Sequence, residues 1–221
     1  MEPIEIAVLN TVKAAIKARS YAEGVVLLQP LLSREYAEAE FLMGEISMLD
    51  DSDIGVAMKW FWAAANRGHI RAAFQIACSP VAKDTLGIID QVRDRMLAKA
   101  ARAKVVDAYH MLALGYATGE WIGVSNRGKN PKKAFQWYLR AARGGDRDCA
   151  YEAGLMYVYG QGTERNPMIG VNWLQEAALK GHLGACQWLI DRFSRGDDGV
   201  PVDTRSAAVW QALLRYLSDA I

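Results

Sequence analysis

The stretch NPMIGVNWLQEAALKGH, residues 166–182, decides the architecture of this chain because a second copy of it is present. The related stretch NPKKAFQWYLRAARGGD occupies residues 130–146 and repeats the Asn-Pro pair, the tryptophan and the two adjacent alanines. The two stretches begin 36 residues apart. A fixed period of this length is typical of arrays of stacked helical units.

The period extends in both directions along the 221-residue chain. Asp53 and Trp60 upstream, and Asp203 and Trp210 downstream, keep the same spacing from the Asx residue to the tryptophan. Each of these half-units follows another half-unit, such as CAYEAG at residues 149–154. Apolar residues recur at helical spacing in both halves, so each unit is predicted to be a pair of antiparallel helices.

Turn-forming residues mark the predicted helix ends. The Asn-Pro pairs suit an N-cap followed by proline at the first helical position, where a missing amide hydrogen costs nothing. Three glycines, Gly68, Gly145 and Gly181, follow the second helix of a unit. A left-handed residue is expected at that position.

The complete pattern is A-x-x-x-L-G-x-x-Y-x-x-G followed by N/D-x-x-x-A-x-x-W-x-x-x-A-A-x-x-G-H. It resembles the Sel-one-like repeat, a relative of the tetratricopeptide repeat, over about residues 20–215. The resemblance implies an all-α, right-handed solenoid of antiparallel helix pairs with about 12 helices. It also implies one repeat domain over residues 1–221, divided into an N-terminal cap helix with an opening half unit (1–36), repeat units (37–71, 72–107, 108–148 and 149–184) and a C-terminal unit with a cap helix (185–221).

The second unit departs from the pattern. Its first helix meets Pro80, which is expected to end the helix early and to disturb the superhelix. Met96 stands where the other units have tryptophan. In this unit the assignment depends on the period and on the pair Ala100-Ala101.

Bulk properties predict a cytoplasmic protein without membrane contact. The formal net charge is +1, so no global field attracts nucleic acid or an anionic membrane. No window reaches the roughly 18 consecutive apolar residues of a membrane span, and the N-terminus lacks the features of a secretory signal. Three cysteines without CxxC spacing suit reduced thiols better than a disulfide framework.

The charges are nevertheless distributed unevenly along the chain. Residues 35–53 contain seven acids and no base, and residues 127–147 contain seven bases and one acid. Solvated helix faces explain such runs. The alternative is a dipolar solenoid that orients a charged partner.

Few residues suit catalysis or metal binding. His69 and His182 occupy the same repeat position after a glycine, which favours a structural role in a turn. His110 lies on a first helix and is the remaining candidate for a ligand or catalytic role. Neither a nucleophile elbow nor a phosphate loop is present, so we predict no catalytic residues, no metal and no cofactor.

The first helices of related scaffolds line a concave surface, and the resemblance therefore nominates residues for partner binding. Apolar, aromatic and acidic side chains at these positions suit a protein or peptide ligand. The nominated residues are Glu38, Phe41, Glu45, Phe74, His110, Leu114, Tyr151, Leu155, Tyr159 and Gln187. Phe41 and Phe74 are equally compatible with the core.

A loop at residues 119–130 is five residues longer than its counterpart at 160–166. It holds Trp121 and Ile122, with Arg127 and Lys129 beside them. These four residues form either a partner-binding loop or, for the two apolar residues, a plug folded onto their own unit.

The predicted function is non-catalytic protein recognition by an adaptor of bacterial origin. The alternative is an immunity protein that neutralises a toxin or secretion-system effector by occlusion. Nucleic-acid binding and enzymatic activity are less favoured alternatives, and the sequence leaves the oligomeric state open.

Overall fold

A computed structural model of the protein describes residues 3–50, 53–120 and 128–219, and all regular secondary structure in these ranges is α-helical. Thirteen helices lie within these ranges. They are α1 (Pro3–Lys17), α2 (Tyr21–Leu32), α3 (Ala37–Leu49), α4 (Ile54–Asn66), α5 (Ile70–Cys78), α6 (Pro80–Leu86), α7 (Asp90–Arg102), α8 (Val106–Thr118), α9 (Pro131–Arg143), α10 (Arg147–Tyr159), α11 (Pro167–Leu179), α12 (Leu183–Arg195) and α13 (Thr204–Asp219).

The helices form two compact units, each containing several repeats, with the division between Val105 and Val106. They are called the first unit and the second unit from here on. In the first unit α1 packs on α2, α3 on α4, and α5 on α7. In the second unit the pairs are α8 with α9, α10 with α11, and α12 with α13. These contacts confirm the predicted helix pairs of an α-solenoid.

Small residues bring paired helices close together. At Gly154 of α10 an added Cβ would lie 3.0 Å from the carbonyl oxygen of Gly170 in α11, and at Gly170 it would lie 2.7 Å from the carbonyl oxygen of Gly154. A Cβ at Gly44 of α3 would lie 2.6 Å from the ring of Phe61 in α4. Gly44 and Gly154, which occupy the first glycine position of the repeat pattern, therefore make room for the second helix of their own unit.

The predicted helix caps are confirmed. The carboxylate of Asp53 accepts a hydrogen bond from the Gly55 amide, and the side-chain oxygens of Asn130 and Asn166 accept from the amides three residues further on. Proline follows both asparagines as the first residue of α9 and α11. The local sequence thus determines where the second helix of a unit begins.

The second repeat of the sequence pattern, whose first helix lies in the first compact unit, contains a broken helix, as Pro80 predicts. Helix α5 ends at Cys78, Ser79 is extended, and Pro80 begins α6. This break accounts for one helix more than the expected twelve. Arg93 of α7 is 2% exposed and lies under the break, where its guanidinium donates hydrogen bonds to the carbonyl oxygens of Ile76 (3.4 Å), Ala77 (3.1 Å) and Ser79 (2.6 Å).

Candidate functional site on the first helices

Each compact unit has its own candidate site, the surface formed by the first helices of the repeats in that unit, and we call each such surface a first-helix face. The fifth residue of every first helix belongs to such a face, and the face continues with residues one or two helical turns further along the same helix. These fifth positions are Phe41, Phe74, His110, Tyr151 and Gln187.

In the first unit, Phe41 and His69 form the floor of a pocket of about 280 Å³. Their rings are stacked with centroids 4.3 Å apart, and the Arg71 guanidinium lies 5.6 Å from the Phe41 ring centroid. Phe41 is only 3% exposed, so a partner could touch little more than its ring edge. Phe74 of the same unit is half-buried.

Two acids in this pocket have different environments. The carboxylate of Glu38 lies 2.6 Å from Lys13 Nζ and 2.9 Å from His69 Nε2. Burial opposes its ionisation, but the hydrogen bonds from Lys13 and His69 outweigh burial and hold the pKa of Glu38 below its ordinary value. Burial raises the pKa of Glu45, which lacks an ion pair within the described part of the chain.

His69 also caps the N-terminus of helix α5. Its Nδ1 accepts a hydrogen bond from the Ala72 amide at 3.1 Å, so the ring carries its proton on Nε2, which points at Glu38. His182 caps α12 in the same way through the Ala185 amide, at 3.0 Å. The structural turn role predicted for these two histidines is therefore confirmed as helix capping.

In the second unit, the first-helix face begins at His110. Its Nδ1 lies 3.0 Å from the carboxylate of Asp146, which also accepts the Cys149 amide hydrogen at 2.8 Å and so caps α10. Burial opposes ionisation of Asp146, but the hydrogen bonds from Cys149 and His110 hold its pKa below the ordinary value.

His110, Asp146 and Cys149 are also the group that could hold a metal ion among the described residues, because their ligand atoms lie within 4.8 Å of one another. Two observations favour the capping role instead. The Asp146 carboxylate is already occupied by protein donors, and burial raises the pKa of the Cys149 thiol, which disfavours the thiolate that a metal requires.

Aromatic and aliphatic side chains continue the face along α10. The Tyr151 ring stacks on the capping His182 with centroids 4.3 Å apart, and Leu155 follows half-buried one turn later. Tyr159, 42% exposed, lies another turn along and places its hydroxyl 3.2 Å from Asp198. Leu114 on α8 is 39% exposed.

The last helix of the face is α12, where Gln187 is exposed. The neighbouring residue Trp188 donates its indole hydrogen to the Tyr159 hydroxyl at 3.4 Å, and Arg192 lies over its ring. Leu114, Tyr151, Leu155, Tyr159 and Gln187 therefore lie on the first helices of one unit, as the sequence register requires.

One contact recurs along the chain. In three cases the fifth residue of a first helix contacts the residue that caps the next first helix. The pairs are Phe41 with His69, His110 with Asp146, and Tyr151 with His182.

The residues predicted in the long loop fall into two groups. Trp121, Ile122 and Arg127 lie outside the described residues, so both interpretations of this loop stay predictions. Lys129 is described and is exposed just before the cap of α9.

Three of the seven acids in the stretch at residues 35–53 are paired with two bases from outside it. Arg67 lies 2.8 Å from Glu35 and 3.0 Å from Glu40, and Lys13 lies beside Glu38. These two bases lie outside the stretch, so a count of the charges within it leaves them out. Both interpretations of the uneven charge stay predictions.

Sequence reasoning missed three residues that shape the face: Lys13, Arg71 and Trp188. Arg71 occupies the second position of its helix, where the other units have Glu38 and Asp148, so the repeat register could have identified it. Lys13 lies on a cap helix without a repeat register, and its position offered no such signal.

Comparisons with known proteins agree with the fold. A family model, the Sel1 repeat, matches residues 37–69, 106–146 and 147–182. The chitin synthase regulator SKT5 of Saccharomyces cerevisiae is 28% identical over 172 residues, which are 77% of this chain and 23% of that protein. The chain thus spans less than a quarter of the length of this relative.

Two solved structures show the same fold. A Sel1 repeat protein from Oxalobacter formigenes superposes with a TM-score of 0.78 at 21% identity, covering 98% of this chain and 91% of the other. An immunity protein from Pseudomonas aeruginosa superposes with a TM-score of 0.59 at 16% identity, covering 99% and 83%. Among the described helices, none combines the length and the apolar character needed to cross a bilayer.

Proposed function

Because the chain belongs to the Sel1 repeat family, we propose that it is a non-catalytic scaffold that binds a protein or peptide partner on its first-helix face. Sel1 repeat proteins are generally protein-interaction scaffolds. The finer statements, that this surface is the binding surface and that the protein is a cytoplasmic adaptor of bacterial origin, are our proposals.

A single observation carries the proposal: the first-helix face of the second unit presents aromatic and aliphatic side chains to solvent. Tyr159 and Leu114 are 42% and 39% exposed, and the half-buried Tyr151 and Leu155 lie in the same row on α10 as Tyr159. Exposed apolar rows of this kind are typical of partner-binding surfaces. The stack of Tyr151 on His182 and the hydrogen bonds of Tyr159 restrict these rings, which lowers the entropy lost on binding.

The test is affinity purification from the source cells, followed by titration of each recovered partner against purified variants. The variant Tyr151→Ala/Tyr159→Ala removes two anchors of the face. We expect partner affinity to fall at least tenfold, since buried aromatic anchors contribute about 2 kcal/mol or more each to such interfaces.

A matched control carries Met168→Ala and Leu179→Ala on α11, a second helix. These side chains are 63% and 68% exposed, so the control removes a similar apolar area from another surface. It should bind as the unchanged protein does. Equal loss in both variants, or no loss in either, would rule out the first-helix face as the binding surface.

An immunity protein is the second candidate function. The solved relative from Pseudomonas aeruginosa carries that name and has the same fold across nearly the whole chain. If the protein is an immunity protein, one recovered partner is a toxic enzyme. Stoichiometric addition of this protein then abolishes the activity of that enzyme. A recovered partner that keeps its activity in the complex favours the adaptor.

A further inference from the structure

The outer face of α9, in the second unit, is strongly basic. Helix α9 buries one side through Ala134, Tyr138 and Ala141, among others. The opposite side exposes a continuous stripe, which we call the α9 stripe. The stripe consists of Lys132, Lys133, Gln136, Arg140 and Arg143.

The four bases of the α9 stripe have no ion-pair partner within the part of the chain that the structure describes. Two of them contact aromatic rings instead: Lys133 lies 5.1 Å from the ring centroid of Tyr116, and Arg140 lies 4.5 Å from that of Trp137. Bases elsewhere in the chain, such as Arg67, are paired with acids. Among the residues that the structure describes, no acid is therefore paired with the positive charge of the stripe.

The position of the two lysines adds to this charge. Lys132 and Lys133 lie in the first turn of α9, where the helix dipole is positive and no acid is present. Lysines there weaken the helix through its dipole. The contact with the Tyr116 ring offsets this for Lys133, whereas Lys132 has no ion pair or ring contact within the described residues. An anionic ligand would be attracted by both the lysines and the dipole.

An open pocket borders each end of the stripe. At the Lys132 end, a pocket of about 600 Å³ is lined by Phe135 and by the turn that contains Glu164. At the Arg143 end, a pocket of about 460 Å³ is lined by Trp173 and Glu176. Each pocket thus combines an aromatic wall with one acid.

We propose that the α9 stripe binds an acidic segment of a partner protein, with an apolar side chain of that segment in each bordering pocket. The stripe is about 17 Å long, which matches about five residues of an extended peptide. At the Lys132 end, Glu164 has no ion pair within the described residues and would repel a continuous phosphate backbone, whereas a peptide can place a neutral side chain there. At the other end Glu176 lies 3.9 Å from Lys180 and is paired with it. This surface lies on a second helix and is distinct from the first-helix face.

The test uses a fluorescent synthetic peptide of twelve residues, with six glutamates between a leucine and a tryptophan. Binding is measured by anisotropy at two salt concentrations. We expect the unchanged protein to bind with an affinity that falls as salt rises. The variant Lys132→Glu/Lys133→Glu/Arg140→Glu/Arg143→Glu should bind at least tenfold more weakly.

A control with the same net charge reverses four other exposed bases: Lys59, Arg95, Arg102 and Arg215. It should bind within about threefold of the unchanged protein, because the partner is attracted by the stripe and only weakly by distant charge. If the first variant loses helical content, glutamine at the same four positions removes the charge with less repulsion and should show the same direction of effect.

Three outcomes would overturn the proposal. These are equal weakening by both charge reversals, no peptide binding by the unchanged protein, and preferential binding of single-stranded DNA or anionic vesicles over the peptide. The variant Tyr151→Ala/Tyr159→Ala should leave peptide binding unchanged, so failure here is distinguishable from failure of the first-helix face.

Discussion

Arg93 should be among the residues whose replacement destabilises the first unit most. Its guanidinium lies beneath the break between α5 and α6 and supplies donors to three carbonyl oxygens at the end of α5. The substitution Arg93→Met keeps a long unbranched side chain and removes every donor. The carbonyl groups of Ala77 and Ser79 would then lose the two shorter bonds.

The size of the effect follows from these bonds. A hydrogen bond to a charged group contributes about 1.5–3 kcal/mol, so the two shorter bonds contribute about 3–6 kcal/mol. Methionine recovers part of this because a thioether costs less to bury than a guanidinium. We expect a net loss of about 3 kcal/mol, which raises the ratio of unfolded to folded protein more than 100-fold.

Urea titration followed by far-ultraviolet circular dichroism measures this loss. The matched control is Arg95→Met on the same helix, because the Arg95 side chain is exposed and its removal should change the free energy of unfolding by less than about 0.5 kcal/mol. A loss for Arg93→Met no larger than that of the control would refute the assignment of Arg93 as the residue that stabilises the broken helix.

The pKa of Asp146 is held below its ordinary value, so its contribution to stability is complete above that value and is lost as pH falls below about 4. Asp146→Asn should therefore flatten the acid side of a stability curve measured by urea titration; an unchanged slope contradicts this. His182→Ala should cost about 1 kcal/mol through loss of the α12 cap, in addition to the lost stack with Tyr151, and His182→Asn should restore only the part due to the cap, both measured as shifts in melting temperature. Gly162→Ala should lower the melting temperature more than Gly87→Ala, because both glycines have positive φ but only at Gly162 would a Cβ meet backbone, 2.3 Å from the Pro131 carbonyl oxygen. Equal shifts would show that conformation alone matters at Gly162.

Sequence reasoning succeeded where the determinants are local. Asp53, Asn130 and Asn166 cap the helices that follow them. The donor and the acceptor of each capping hydrogen bond lie only two or three residues apart, so a short stretch of sequence is enough to predict it. Pro80 likewise ends α5 through its own missing amide hydrogen and ring. These features determine where the helices begin and end, and therefore which residues lie on the first-helix face.

The sequence pattern failed where a side chain is paired across the fold. Arg93 reaches carbonyl groups 14 to 17 residues earlier in the chain, and Lys13 reaches Glu38 from a cap helix that lacks the repeat. The exposed fraction of a side chain could not be predicted from the repeat pattern either. Phe41 and Tyr151 share one register position, yet only Phe41 is buried. Packing against neighbouring helices, which a single repeat does not encode, determines this difference.

The contact between the fifth residue of a first helix and the cap of the next one has a consequence for exchanging repeats between proteins. A transplanted block should end on the cap residue, so that 147–182 carries both Tyr151 and His182. If the block ended one residue before His182, Tyr151 would contact whichever cap residue the acceptor chain supplies. His182 would stay behind in the donor chain without its tyrosine. Breakpoints for recombination in this chain therefore lie after His69, Asp146 and His182, where the matches to the family model also end.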